Sequence, residues 1–341
     1  MKTIMSKTFT DLEIRIFERS ETGYPVEITL DGQQEFPRGF LAKEAASWVA
    51  SGDPATDGRQ LFDLLFADAT LHSAWAEARG RASHRRIRLR IDVGAAELHA
   101  LPWELAQEGD VLLAARAETP FSRYLPVALP WRGPVGGEPV RVLAVISNPA
   151  DLASAYSLTP LDATQEQAVL RKAFTALSSS QVQLDFLAPP VTLKRLEEKL
   201  REGYHILHYV GHGAFSKSRR QAALYLQDEA GQTHVVQDDA FIGMLARQPV
   251  RPNLVFLAAC HSATRATSDA FLGLGPKLVA AGVPAVVAMQ DVVSLETARV
   301  LSETFYQRLA EHGIVDQAMN CLLYTSPSPR DRTRSRMPSS A

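Results

Sequence analysis

Two reactive side chains stand where open α/β proteins do their chemistry, directly behind buried strands. The strand-like run 205–210 leads into Gly211, His212 and Gly213, and the run 253–259 leads into Cys260, His261 and Ser262. Ligands of such sheets sit outside the carboxyl ends of the strands. Neighbouring strands are about 4.8 Å apart, so an imidazole on one loop and a thiol on the other can converge on one substrate atom. A thiol needs a base to become the stronger nucleophile, a leaving amine needs an acid, and one histidine serves both steps. The glycines flanking His212 allow a sharp turn and close backbone approach. The amides of Gly213 and Cys260 are candidate donors to a developing oxyanion. Each residue also has a plainer reading. A lone cysteine ending a buried strand is usually an inert small hydrophobe, and a histidine in a Gly-His-Gly turn is as readily an ordinary loop residue.

Other chemistries fit less well. His205, His208 and His212 cluster in sequence and His261 adjoins the cysteine. On a strand, however, His205 and His208 face opposite sides, and the glycines oppose a helical His208/His212 pair, so no metal site is expected. His208 reads as a core histidine or one that supports the His212 loop. There is no Walker phosphate loop and no Gly-x-Ser-x-Gly elbow, and Gly273-Leu-Gly275 lacks the third glycine and preceding strand of a dinucleotide fingerprint. Asp238, Asp239, Asp269 and Asp291 fall near the expected rim of the site. They could pair with a basic substrate residue but read more simply as solvated carboxylates or helix caps. Trp103 reads as a core aromatic.

The elements that must position these groups follow from periodicity. Residues 11–30 alternate as a hairpin expected at a sheet edge, followed by a helical stretch near 58–79 and a strand at 87–91. The Gly- and Pro-rich segment 130–139 marks a boundary. Beyond it the expected order is strand 140–146, helix from an Asp162/Gln165 capping box, strand 184–188, helix behind Thr192, and strand 205–210. A hairpin-like insertion at 222–236 and a helix near 241–246 precede strand 253–259, helix 270–281, strand 285–288 and helix 296–309. Strands alternating with helices imply crossovers, and hence an α/β fold with a mainly parallel sheet covered by helices on both faces. A smaller α/β N-terminal subdomain precedes it. The expected division is 1–137, 138–320 and a tail, 321–341.

The chain has 341 residues, 46% of them hydrophobic and 22% charged, which excludes a disordered or fibrous protein. With 36 basic and 38 acidic residues, no general basic field favours nucleic acid or an anionic membrane. Two cysteines cannot build a disulfide framework, and neither a secretory leader nor an 18-residue apolar run is visible, so the expectation is a cytoplasmic protein. The segment 321–341 breaks this character with three prolines, five serines and four arginines. Residues 321–331 resemble the translation of a transposase sequencing adapter; a disordered basic tail is the alternative. Without its four arginines and one aspartate the remainder holds 32 basic and 37 acidic residues, a charge of −5. The authentic protein is then expected to continue past Asn320.

The strings HILHYVGHG at 205–213 and LVFLAACHS at 254–262 resemble the two signature segments of CHAT domains, caspase-like cysteine peptidases related to separase. His212 precedes Cys260 by 48 residues, close to the roughly fifty-residue interval of caspases. The similarity continues through LPWEL at 101–105, FSR at 121–123, LVAAGVPAVVAMQ at 278–290 and FYQRL at 305–309, covering about 58–320. The resemblance implies a caspase-like fold, a catalytic dyad of His212 and Cys260, and an oxyanion contribution from Gly213. It implies a cysteine endopeptidase that needs no cofactor, acts on a protein or peptide, and works beside a sensor or repeat module in bacterial signalling, defence or regulated death. The competing class is a catalytically silent caspase-like scaffold that recruits partners. A different thiol hydrolase or transferase is a third.

Overall fold

The computed structural model describes residues 9–124, 139–175, 177, 182–216, 219, 221–258, 265–288, 295–312 and 315–319, apart from the side chains of 93, 96, 265–272, 295–299 and 312. The described residues fall into two compact units, one drawn from Met1–Leu125 and Ile314–Ala341, the other from Pro126–Gly313. The 130–139 boundary segment and the 321–341 tail lie outside the described residues, apart from Pro139.

In the first unit the strands are β1 (Thr10–Ile16), β2 (Tyr24–Leu30), β3 (Gln34–Glu35), β4 (Gly39–Leu41), β5 (Arg85–Ile91), β6 (Gln107–Glu108), β7 (Val111–Leu112) and β8 (Phe121–Tyr124). Five of them form the order β3-β2-β1-β5-β8, with β4 on β2; β6 pairs β7 separately. Leu12, Ile14 and Ile16 alternate onto the buried face and lie opposite Ile87, Leu89 and Ile91 of β5 in parallel register. This pairing corrects the expected edge hairpin, because β1 is flanked on both sides. Its second neighbour lies some seventy residues away, and local alternation carries no information about such a partner.

The helical stretch near 58–79 is two helices, α1 (Pro54–Leu65) and α2 (Ala69–Arg81). Asp53 caps α1 by accepting from the Thr56 amide, with Pro54 at the first helical position. Asp68 caps α2 through the Thr70 and Leu71 amides, which starts a new helix where periodicity alone reads on. Trp103 is fully buried, its Nε1 donating to the Leu98 carbonyl at 2.9 Å.

The second unit carries β9 (Val140–Ile146), α3 (Leu152–Tyr156), α4 (Ala163–Thr175), β10 (Val182–Phe186), α5 (Leu193–Leu200), β11 (Ile206–Val210), β12 (Gly213–Ser216) and β13 (Gln221–Gln227). After these come β14 (Thr233–Gln237), α6 (Asp238–Ala246), β15 (Leu254–Ala258), α7 (Arg265–Ala280), β16 (Ala285–Ala288) and α8 (Leu295–His312). The order β10-β9-β11-β15-β16 is parallel at every pairing. All residues of β11 and β15 are buried, so both faces of the sheet centre are covered, as its near-continuous apolar runs require. The expected α/β architecture, a parallel sheet with helices and a smaller N-terminal sheet, is therefore the one observed.

Thr192 caps α5 through the Arg195 amide at 3.2 Å, and Asp162 accepts from the Gln165 amide at 2.9 Å. Helix α7 starts at Arg265, earlier than the expected 270. The hairpin expected at 222–236 is the antiparallel pair β13–β14, and a further strand ahead of it, β12, pairs antiparallel with β13. The four residues of β12 begin with glycine and are too short to show a period. Among the described residues no helix is long and apolar enough to cross a membrane.

Candidate active site

His212 lies two residues beyond Val210, at the carboxyl end of the central strand β11, and is fully buried. Its Nε2 lies 2.9 Å from the carbonyl oxygen of Thr159. A carbonyl can only accept, so Nε2 carries the proton and Nδ1 of the neutral ring holds the lone pair. Nδ1 has no hydrogen-bond partner among the described residues. Burial pulls the imidazole below its ordinary pKa, only partly opposed by the Thr159 carbonyl, which favours the charged ring. The result is a neutral, oriented imidazole whose free nitrogen can accept a proton.

Thr159 is placed by side chains that the sequence reading did not single out. Asn148, two residues past β9, accepts from the Leu161 amide at 2.9 Å and donates from Nδ2 to the Leu161 carbonyl at 2.8 Å. These two bonds pin the 157–162 segment beside the sheet. The available signal was positional: Asn148 is a polar residue at the carboxyl end of a strand, where α/β sites are built.

The His212 backbone is held by Tyr209, whose Oη lies 3.0 Å from the His212 carbonyl and 3.2 Å from the Tyr225 carbonyl. The Tyr225 amide donates to the same His212 carbonyl at 3.1 Å. Gly211 was expected to permit a sharp turn, and the chain does bend there; the residue also supplies space. Its φ lies outside the left-handed region, but a Cβ there would stand 2.4 Å from Tyr209 Oη and 2.6 Å from Cζ. Gly211→Ala is expected to drive the Tyr209 ring off the His212 carbonyl and to cost about 1–3 kcal/mol. Urea unfolding of the variant checks the magnitude, and a loss below about 0.5 kcal/mol would contradict the contact.

His208 faces the other way. It is stacked on Phe256, with centroids 4.7 Å apart, and its Nδ1 lies 2.6 Å from Tyr306 Oη of α8. Complete burial pushes its pKa down to about 3. It is thus a neutral core histidine bonded to α8, while the support of the His212 backbone falls to Tyr209. Gly213 opens β12 opposite Leu224. Cys260 lies outside the described residues, as do His261 and Asp291 and the side chain of Asp269. Val210 pairs with Ala258 in parallel register. In the sequence Cys260 follows Ala258 by two positions, as His212 follows Val210.

The profile of the CHAT domain matches residues 55–321. The chain belongs to the CHAT family. CHAT domains are a caspase-like peptidase family, in agreement with the resemblance carried by the two signature strings. No curated protein matches this chain.

The remaining acids of this CHAT domain fall into two kinds. Asp239 is exposed, as expected of a solvated carboxylate. Asp238 is not: its side chain is fully buried and ion-paired to Lys277 Nζ at 2.6 Å, and it accepts from the Ala222 amide at 3.0 Å. The expectation of a solvated carboxylate or free rim acid is corrected here, because Lys277 already takes the charge. Burial pushes this carboxyl up, and the Lys277 ammonium with the Ala222 amide more than offsets it, so it stays ionised. Lys277→Met should leave a buried carboxylate with amides alone and cost about 3 kcal/mol in chemical unfolding. Among the described residues no group of three or more His, Cys, Asp or Glu is placed to hold a metal ion. His205 Nδ1 instead accepts from the Arg141 amide at 3.0 Å.

Proposed function

We propose that this CHAT protein is a cysteine endopeptidase with His212 and Cys260 as its dyad. The observation that carries the reading is the state of His212: neutral, proton fixed on Nε2 by Thr159, and lone pair on an Nδ1 with no hydrogen-bond partner among the described residues. Nδ1 takes the proton of the Cys260 thiol as the sulfur attacks the scissile carbonyl. The amides of Gly213 and Cys260 steady the oxyanion. When the tetrahedral intermediate collapses, the C–N bond breaks and the imidazolium protonates the departing amine, leaving a thioester. Water, deprotonated by the same imidazole, then releases the carboxylic acid and restores the thiol. The substrate is a protein or peptide, and the setting is bacterial signalling, defence or regulated death beside a sensor or repeat module.

Fluorogenic peptides varied at the residue before the scissile bond test this, with Cys260→Ala as control. Cleavage by the parent and none by the variant is the expected result. If no peptide is cleaved and a peptidyl chloromethyl ketone alkylates Cys260 no faster than a free thiol, the reading fails and the silent scaffold replaces it.

A further inference from the structure

The first unit contains a cavity of about 260 Å³ lined by three arginines, Arg79, Arg85 and Arg116. Arg85 opens β5 and is only 5% exposed. Its Nη1 donates to the Ala82 carbonyl at 2.7 Å, and its guanidinium carbon stands 5.4 Å from the Trp75 ring centre. Its Nε is enclosed without a partner, and no carboxylate forms an ion pair with it among the described residues. Burial lowers the pKa of this guanidinium, yet arginine stays charged at any ordinary pH. Glu108 opposes that shift from a distance, while Arg79 and Arg116 add to it. A buried charge with no direct ion pair is costly, and a ring face offsets only part of that cost.

Two carboxylates also line the cavity, Glu108 and Glu118. Glu108 Oε1 is already shared between Trp75 Nε1 and the Arg79 guanidinium. Arg116 stands exposed and forms no ion pair among the described residues. The guanidinium group is suited to carboxylate and phosphate oxygens, which it binds through charge-assisted hydrogen bonds. We propose that this cavity binds a small oxyanion ligand, bearing a carboxylate or a phosphate group, with Arg85 supplying the buried counter-charge and Arg116 the rim contact.

Calorimetric titration and thermal unfolding of the full chain, with inorganic phosphate in one arm and succinate in the other at constant ionic strength, test it. Saturable binding and a rise in Tm with at least one probe are expected, and the stronger arm identifies the oxyanion. Arg85→Met should abolish the response, and Arg116→Ala should weaken binding about tenfold or more. If Arg85→Met fails to fold, Arg116→Ala, at an exposed position, carries the test alone. Absence of a saturable response to both probes, or an undiminished response in Arg116→Ala, overturns the proposal.

Discussion

His212→Ala is expected to lower kcat/KM for peptide hydrolysis about 1,000-fold or more while leaving the protein folded. In the proposed mechanism the imidazole is the base for the thiol and the acid for the amine, so its loss would remove proton transfer from both halves of the reaction. The parent's pH profile carries a second signature of the same ring. The proposed mechanism requires neutral His212, and burial places its pKa below the ordinary 6.5. The acid limb of kcat/KM should therefore fall below pH 6.5, with activity retained as the pH drops through that value. An acid limb at or above 6.5, or a His212→Ala variant within tenfold of the parent, would show that this histidine is not the base. Circular dichroism separates loss of chemistry from loss of fold.

His208→Ala is expected to have the largest effect on stability, about 3–5 kcal/mol. It empties the space against Phe256 and strands Tyr306 Oη, since both His208 and Tyr306 are buried. His208→Phe fills the space with a somewhat larger ring and removes the hydrogen bond, for about 1–3 kcal/mol. The two variants together separate packing from polarity. The pH dependence follows from the depressed pKa. The unfolded chain takes up a proton below about 6.5, whereas folded His208 resists protonation down to about 3. Its contribution is complete above pH 6.5 and is lost progressively as the pH falls through that window. His208→Phe should flatten the slope. Glu166, pushed up to about 7 by burial and by Asp162, titrates in both proteins, so the difference between them at each pH isolates His208. Urea unfolding between pH 4 and 7.5 measures it, and an unchanged slope in His208→Phe would refute the assignment.

Much of the scaffold was legible because its signals are local. The apolar run at 140–146 could only be a buried strand, and its observed bounds are the same. Thr192 advertised a helix start through its position before Leu193, Leu196 and Leu200, of which Leu196 and Leu200 are buried. Local signals also misled. The period near 58–79 ran across the junction at Asp68, because a cap shows itself through backbone amides rather than through side-chain hydrophobicity. The central place of β1 was hidden, since its parallel partner β5 is remote in sequence.

The sequence by itself determined the class of fold, the family strings, and the candidates His212 and Cys260, because residue type and order along strand ends are written in the chain. Only the tertiary structure decided what His212 is. The carbonyl that orients its ring belongs to Thr159, 53 positions away, and the hydroxyl that holds its backbone comes from Tyr209 on the preceding strand. Asp238 likewise, read from the sequence as a solvated carboxylate or helix cap, is a buried partner of Lys277, 39 positions on. Protonation state and charge pairing depend on burial and on distances across the fold, and those exist only once the strands are stacked and the loops closed over them.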